Sequence, residues 1–371
     1  MSDVANKVLL IVLDGASDRP LGGTTPLAHA KTPNLDALAF GGINGIMDTI
    51  APGIRPGSDT SHLAILGYDP YKYYTGRGPF EAAGVGIDVK GGDIAFRCNF
   101  ATVEGGKVTD RRAGRIDDTD ELARTINTKV KVPNIEVIFK RSTGHRAALV
   151  LRGKELSAAI SDTDPKKEGL PMKESHATDG SPEAKRTAEI VNNVSDQVTK
   201  AIDKSPINIE RRKQGKPPGN AILIRGAGEV PHIPPFEERY GMKGAVVANA
   251  GLIIGIGKMC GLDFLPVIGM ETMSPVERVK AKVTKALEAL KTHDFVLLNI
   301  KGADEAGHDG EMERKTRYVE AVDDAFKPLT SLKDTLIIIT VDHSTPISLK
   351  DHSADPVPIL MNGPGVRVDE V

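Results

Sequence analysis

Cysteine is scarce in this chain, with Cys98 and Cys260 its only two. They stand far apart, outside any CxxC pair or zinc-type cluster, which points to a reducing compartment. Net charge is equally slight: 48 Lys and Arg against 50 Asp and Glu leave −2 over 371 residues, a balance that advertises no polyanion-binding surface. The basic run Arg211-Arg212-Lys213 is short and lacks the interleaved aromatics of a single-strand platform, so it reads as a solvated loop and nucleic acid is not expected as a partner. Long hydrophobic runs are missing too. The longest soft apolar stretch, 245–257, is interrupted by Asn249 and falls short of the ~20 residues that span a bilayer. The amino terminus passes from a few polar residues into an apolar run at residue 7, without the charged region, apolar region and small-residue cleavage site of a signal peptide. A cytoplasmic protein with no membrane partner is expected, and no feature fixes an oligomeric state.

The length suits a large α/β core with a smaller domain or an insertion. Residues 7–14, Lys-Val-Leu-Leu-Ile-Val-Leu-Asp, form a continuous apolar run that closes on Asp14 and Gly15, the pattern of a buried parallel strand. Residues 294–300 repeat it ahead of Gly302 and Asp304, and 334–341 run straight into Asp342 and His343. In open α/β sheets ligands lie beyond the carboxyl ends of the strands, so these acidic residues are predicted to converge. Helical periodicity falls at 33–40, 275–291 and 314–332.

Between about 84 and 218 the pattern changes. Short alternating segments at 93–102 and 147–151, a Gly105-Gly106 turn and a polar helix over 181–204 suggest an α+β domain inserted in the core. The stretch 211–219, rich in Lys, Arg, Gly and Pro, reads as its return linker, and the strand 221–224 is expected to end in a turn at Gly226-Ala-Gly-Glu229. Arg225 beside that turn suits a structural ion pair. The predicted organisation is a core from 1–84 and 219–371 with an insertion at 85–218. Gly255-Ile-Gly-Lys258 lacks the spacing and the following Ser or Thr of a phosphate loop.

The chemistry lies in Asp14, Asp304, His308, Asp342, His343 and His352. Asp304-Glu-Ala-Gly-His308 sets a carboxylate and an imidazole four apart, Asp342-His343 supplies neighbours that can serve two cations, and His352 follows in a proline-stiffened loop. Any one of these Asp residues alone could cap a helix. Capping explains one Asp but not three His gathered with them at strand ends, and oxygen and imidazole donors without thiolate suit Mn, Zn or Mg. A nucleophile is offered by Ser58, in Gly57-Ser-Asp-Thr-Ser-His62, where a Pro/Gly-rich loop enters a helix. The free N–H groups there favour a phosphate, and a nearby cation would ease loss of the hydroxyl proton. The bland alternative is a Ser that merely caps the helix.

The order Asp14, Ser58, Asp304/His308, Asp342/His343, His352 resembles the alkaline phosphatase superfamily. The strings Pro56-Gly-Ser-Asp-Thr-Ser-His-Leu-Ala-Ile-Leu-Gly-Tyr-Asp-Pro70, Tyr74-Thr-Gly-Arg-Gly-Pro79, Arg97-Cys-Asn-Phe-Ala-Thr102, Asp110-Arg-Arg-Ala-Gly-Arg-Ile116, Lys301-Gly-Ala-Asp-Glu-Ala-Gly-His308 and Thr340-Val-Asp-His-Ser-Thr-Pro346 resemble the cofactor-independent phosphoglycerate mutases of archaeal type. The resemblance spans nearly the whole chain, which is shorter than the bacterial-type enzymes, chiefly in the insertion. It implies an alkaline-phosphatase-like core, a mostly parallel sheet flanked by helices, plus the smaller inserted α+β domain that binds substrate. It implies two divalent cations (Mn, Zn, Co or Mg) and no 2,3-bisphosphoglycerate. One cation would be held by Asp304, His308 and His352, the other by Asp14, Ser58, Asp342 and His343. The substrate-gripping positions it matches are Arg111, Arg112 and Arg115, with His145, Arg146 and Lys243 as further candidates; arginine offers bidentate donors to a phosphate and to a carboxylate.

The implied reaction interconverts 2- and 3-phosphoglycerate through a phosphoserine on Ser58, as in glycolysis and gluconeogenesis, with the insertion closing to keep glycerate in and water out. A metal-dependent phosphatase or phosphonate hydrolase of the same superfamily is the competing expectation, a pentose-phosphate mutase a milder variant. A metal-stabilised binding protein has no need of a nucleophile.

Overall fold

The computed structural model describes residues 5–369, so the first polar residues of the amino terminus lie outside it. The chain forms two compact units, Met1–Tyr73 with Ile233–Val371, and Tyr74–His232. In chain order the strands are β1 (Lys7–Asp14), β2 (Ile43–Met47), β3 (Ile94–Glu104), β4 (Lys107–Asp110), β5 (Glu136–Arg141), β6 (Arg146–Arg152), β7 (Ala221–Glu229), β8 (Gly244–Val247), β9 (Asp263–Phe264), β10 (Phe295–Lys301), β11 (Thr335–Thr340) and β12 (Val357–Asn362).

The first unit carries a seven-stranded sheet in the order β2-β12-β11-β1-β10-β8-β9. The stretch from β11 to β9 is parallel, and β12 and β2 continue it antiparallel. β1 and β10 are apolar on both faces because both faces are covered. Leu9, Ile11, Val296, Leu298, Ile337 and Ile339 share one core with Val279, Val283, Val322 and Phe326 from the flanking helices Pro275–Ala289 and Met312–Phe326. Each such side chain contributes about 1.5–3 kcal/mol by leaving water. The first of these helices begins in a capping box: Ser274 Oγ accepts from Glu277 N at 3.3 Å and Glu277 Oε2 from Ser274 N at 2.7 Å. The second ends earlier than its periodicity suggests, passing into a tight turn at Lys327–Ser331, because Pro328 has no N–H to continue the ladder.

The second unit is an antiparallel sheet in which β3 pairs with β4, β6 and β7, and β6 with β5. The helix Pro182–Ile202, capped by Ser181, lays Val191, Val194 and Val198 on the same core as Phe96, Phe100, Leu149 and Ile222.

This unit is wider than the 85–218 insertion read from sequence, for two reasons. The helix Gly78–Gly84 buries Ala82 against Ala95, Ala148 and Val150, and β7 is a strand of this sheet rather than of the core. The 211–219 stretch is accordingly not a bare linker. The helix Pro206–Lys213 occupies its start, and Arg211 donates to Pro217 O and Ala113 O at 2.8 Å each, tying backbone together, while Arg212 stays exposed and pairs with Asp203. The expected turn at Gly226-Ala-Gly-Glu229 lies inside β7, where a Cβ on Gly228 would meet Pro79 Cδ at 2.8 Å. Glycine continues the strand there because the chain passes too close for a side chain. The overall class is the one the resemblance implies: α/β, with a mostly parallel, helix-flanked sheet and a smaller α+β unit.

Candidate active site

β11, β1 and β10 are neighbours, and their register sets Asp14 opposite Lys301 and Val12 opposite Thr340. The residues just beyond these ends, Asp304, Asp342 and His343, therefore meet Asp14 at the carboxyl end of the sheet's central strands, and all four are buried. Gly15 makes the approach possible: it sits at φ +66°, a Cβ on it would lie 2.6 Å from Asp304 Cα, and its N–H donates to Asp342 Oδ1 at 3.0 Å. Lys315, buried in the neighbouring helix, donates to Ser17 O, Asp18 Oδ2 and Thr345 O at 2.8–3.0 Å, pinning the loop after β11 to the loop after β1.

Two sets of donors close to within 4.8 Å among the described residues: Asp304, His343 and His352, and Asp14, Asp342 and His343. His343 is common to both, where the resemblance assigns it to one. His308 adds its Nε2 at 3.3 Å from Asp304 Oδ1, and His352 Nε2 lies 3.4 Å from the same oxygen.

Whether a cation fits is decided by the protons. His308 Nδ1 donates to Lys350 O at 2.9 Å and His352 Nδ1 to Pro56 O at 3.2 Å; a carbonyl only accepts, so in the neutral ring, the form that binds a cation, both Nε2 atoms carry lone pairs. His343 Nδ1 bonds Thr345 Oγ1 at 3.1 Å, and that hydroxyl donates onward to Asp304 Oδ1 at 3.0 Å, which leaves His343 Nε2 a lone pair as well. Its neighbours are Asp342 Oδ2 at 3.2 Å and Asp14 Oδ1 at 3.9 Å. Asp342 Oδ2 is buried without a hydrogen bond. Lone pairs and carboxylates facing one another out of water require positive charge between them, and imidazoles oriented through Nδ1 in this way are the usual outer support of metal ligands. The residues fit divalent cations.

The same conclusion follows from charge. Burial, with Asp342 beside it, pushes the Asp14 carboxyl up. Burial also opposes ionisation of Asp304, but the rings of His308 and His352, at 3.3 and 3.4 Å, and the Lys301 ammonium hold it well below the usual carboxylate range. Lys301 Nζ bridges Asp304 Oδ2 at 2.8 Å and Asp14 Oδ1 at 3.1 Å. One ammonium thus serves two of three crowded carboxylates, and the cluster still wants cations.

Ser58 Oγ lies 3.0 Å from His343 Nε2. It is the first residue of the helix Ser58–Ile65, whose cap is Gly57, so the capping explanation of Ser58 falls away. The hydroxyl that the loop exposes is aimed at the donor cluster.

The second unit gathers base. Arg97 on β3 and Arg225 on β7 are direct cross-strand partners. Arg225 donates to Asp164 Oδ2 at 3.1 Å, Arg111 grips both Asp164 oxygens at 3.0 and 2.6 Å, and Arg77 donates to Glu81 Oε1 at 2.9 Å. Four guanidiniums here share two carboxylates, and the Nε atoms of Arg97 and Arg225 are buried without a hydrogen bond. Burial and the neighbouring Arg77 and Arg225 push the Arg97 guanidinium well down. Arg146 and Arg112 bear on the same place, since after burial they are the main causes that push His145 down to about 3. Such an excess of half-buried positive charge suits an anion.

Arg112 precedes and Arg115 closes a run of left-handed backbone, Ala113 at φ 47°, Gly114 at 61° and Arg115 at 54°. The turn is held by Asp110, which accepts from Arg112 N and Gly114 N at 2.7 and 2.8 Å, and by Arg211 on Ala113 O. Left-handed alanine and arginine cost roughly 1–2 kcal/mol each, strain of the kind retained where side chains must be presented.

Lys243 is a correction. It precedes β8, its carbonyl accepts from Asp294 N and Phe295 N at the start of β10, and its Nζ faces Asp263 at 3.9 Å. It stands at the amino ends of parallel strands whose carboxyl ends carry Asp14 and Asp304, so it does not reach this centre. Residues left unassigned by the sequence but built into these clusters are Lys301, Thr345, Arg77 and Arg97, while Arg225 makes the ion pair expected of it, with Asp164 at 3.1 Å. A charged residue in the middle of the apolar run Ile-Ala-Phe-Arg-Cys-Asn-Phe was the available signal for Arg97.

The sequence pattern of the 2,3-bisphosphoglycerate-independent phosphoglycerate mutase family matches residues 39–208. A relative of that name from Methanothermobacter thermautotrophicus is 53% identical over 98% of this chain and 91% of its own length, and one from Archaeoglobus fulgidus is 52% identical over 98% and 90%. Among solved structures, a protein from Pyrococcus horikoshii superposes with a TM-score of 0.83 at 38% identity over 99% of this chain and 90% of its own. A cofactor-independent phosphoglycerate mutase from Thermoplasma acidophilum gives 0.67 at 40% identity over 98% and 92%. With its strand-end donor cluster and its serine in place, the chain belongs to the family of 2,3-bisphosphoglycerate-independent phosphoglycerate mutases.

Proposed function

We propose that this chain interconverts 2-phosphoglycerate and 3-phosphoglycerate in the cytoplasm, with Ser58 as the group that carries the phosphoryl in transit. The observation that supports it most is the 3.0 Å approach of Ser58 Oγ to His343 Nε2 at the edge of a buried cluster of carboxylates and imidazoles. Asp14, Asp342 and His343 would hold one divalent cation and Asp304, His308 and His352 the other, with Ser58 beside the first and His343 within reach of both. When bound, the cations supply positive charge that favours the Ser58 alkoxide and screens the phosphoryl oxygens; Mn, Zn, Co and Mg all accept such donors.

Ser58 Oγ attacks phosphorus in line, the bond from phosphorus to the glycerate oxygen breaks, and the phosphoryl group rests on Ser58. The other hydroxyl of the retained glycerate then attacks and frees the serine. Retention separates a mutase from a phosphatase, and we assign it to the guanidiniums of Arg97, Arg111, Arg112, Arg115, Arg146 and Arg225, whose excess charge matches a carboxylate and a phosphate on one small molecule. His145 is pushed down to about 3, so it stays neutral at working pH and offers a hydrogen bond rather than a charge.

The test compares Mn-reloaded wild type with Ser58→Ala for phosphoglycerate exchange and for phosphate release. Wild type should exchange without net release, and Ser58→Ala should do neither while keeping its metal. Fast release without exchange in wild type would make the chain a hydrolase.

A further inference from the structure

Ser58 is held from behind by a chain of buried polar groups. His62, one turn along the same helix, donates from Nδ1 to the Ser58 carbonyl at 2.7 Å. Because that oxygen only accepts, Nδ1 carries the proton and Nε2 is an acceptor, which takes a hydrogen bond from Asn299 Nδ2 at 3.2 Å. The Asn299 backbone carbonyl accepts from the Lys282 ammonium at 2.9 Å, and Lys282 Nζ also donates to Asn249 Oδ1 at 3.1 Å. His62 and Asn299 are wholly buried and Lys282 is 2% exposed, deep enough that burial pushes the Lys282 ammonium down to about 8.

Groups buried at this depth are costly even when paired, and apolar residues of like volume commonly serve stability as well or better. What the polar chain adds is orientation. The donor edge of His62 faces the Ser58 carbonyl and, at 3.7 Å, Asp342 Oδ2, so one imidazole backs both the serine and a strand-end carboxylate. Asn299 sits on β10, in register with Val12 two residues before Asp14. Lys282 reaches across from its helix to tie that strand to Asn249, just beyond β8. The first turn of the Ser58–Ile65 helix is thereby referenced to the sheet whose strand ends supply the donors.

We infer that His62, fixed by Asn299 and Lys282, is a positioning residue that sets the Ser58 hydroxyl for attack on phosphorus. This rests on Ser58 being the nucleophile. His62 touches no substrate in this role; it acts through the peptide of Ser58, so its loss slows the chemical step without weakening substrate binding.

The experiment uses the full-length, Mn-loaded protein as His62→Phe, His62→Asn, Lys282→Met and Ser58→Ala, with metal content and thermal midpoint measured for each. Asparagine places its Nδ2 where the imidazole Nδ1 stands, so His62→Asn keeps the bond to the Ser58 carbonyl and gives up the one to Asn299. His62→Phe should lower kcat roughly 10²-fold, the scale of an ångström misplacement, at unchanged KM and metal content. His62→Asn should return to within about tenfold of wild type, and Lys282→Met, which preserves volume, should lower kcat about tenfold at unchanged KM. In wild type loaded with diamagnetic Mg instead, nitrogen-15 NMR of the histidines should show His62 protonated at Nδ1. An Nε2–H tautomer, or full kcat in Lys282→Met and His62→Phe while Ser58→Ala is inactive, overturns the positioning role and leaves the nucleophile standing. Exchange activity in Ser58→Ala overturns the nucleophile itself. If His62→Phe does not fold, His62→Asn and Lys282→Met decide: losses expressed in KM, or in thermal midpoint with kcat intact, sink the inference.

Discussion

The first unit concentrates carboxylates and imidazoles, the second guanidiniums, and each does so by the geometry of its own sheet. Parallel strands end at a common level, so Asp14, Asp304 and Asp342 meet because β1, β10 and β11 are neighbours in register. Antiparallel strands share no functional end. Arg97 and Arg225 meet in mid-strand because β3 and β7 pair there, and Arg77 and Arg111 arrive from a helix start and a turn. The acidic cluster lacks positive charge, since Lys301 alone bridges Asp14 and Asp304. The basic cluster lacks negative charge, with Glu81 and Asp164 shared among four arginines. Complementary deficits of this kind suit a reaction whose substrate is an anion and whose cofactors are cations.

Removing charge from the acidic cluster should have the largest effect. Asp342→Asn, or chelation of the native protein, is expected to lower exchange by at least about 10³-fold, since bound cations are worth several kcal/mol to phosphoryl transfer. Activity assay with metal analysis checks it; full activity in metal-free protein would dissolve the contrast between the units. Removing charge from the basic cluster should act differently. Arg97→Met is expected to reduce exchange roughly 10²-fold, while the fraction of turnovers ending in free phosphate rises, because glycerate is no longer retained. Equal losses of exchange and release would move Arg97 from substrate retention to the fold. A smaller effect is expected of Arg211→Met. With Ala113 O released, the strained turn at residues 113–115 relaxes, and KM should rise about tenfold at near-constant kcat. An unchanged KM would show that Asp110 alone holds the turn.

The contrast also explains what could be read from the sequence. Asp14, Asp304, Asp342 and His343 are legible because a parallel strand announces itself as an apolar run and its functional residue comes at a fixed place, the end. Ser58 is legible as a serine between a Gly/Pro loop and a helix. Lys301, Lys282 and Asn299 are not, because they point from strand and helix interiors into partners that only the packed sheet supplies. In the second unit the pairing of Arg97 with Arg225 depends on a register that spans more than a hundred residues of chain and contains a bulge between Ala95 and Arg97, which no local pattern encodes. Lys243 shows the converse error: the resemblance offered it as a substrate contact, while strand direction puts it at the far end of the sheet.

The smallest expected effect bears on stability alone and isolates the basic unit. His145 is buried and faces Arg146, Arg112, Arg97 and Arg225, and burial first and these charges next push it from 6.5 down to about 3. Below pH 6.5 the unfolded chain binds a proton that the folded chain refuses until about 3, so the stability this group contributes is complete above that upper value and declines as pH falls through the window. His145→Asn keeps a polar group of similar size and removes the titration. Its thermal midpoint should therefore gain on that of wild type as pH is lowered from 7 to about 4.5, with no corresponding drift above 7. Parallel curves across that range would mean that His145 takes up its proton inside the folded unit, and that the surrounding arginines are spread too widely to act as one anion-seeking cluster.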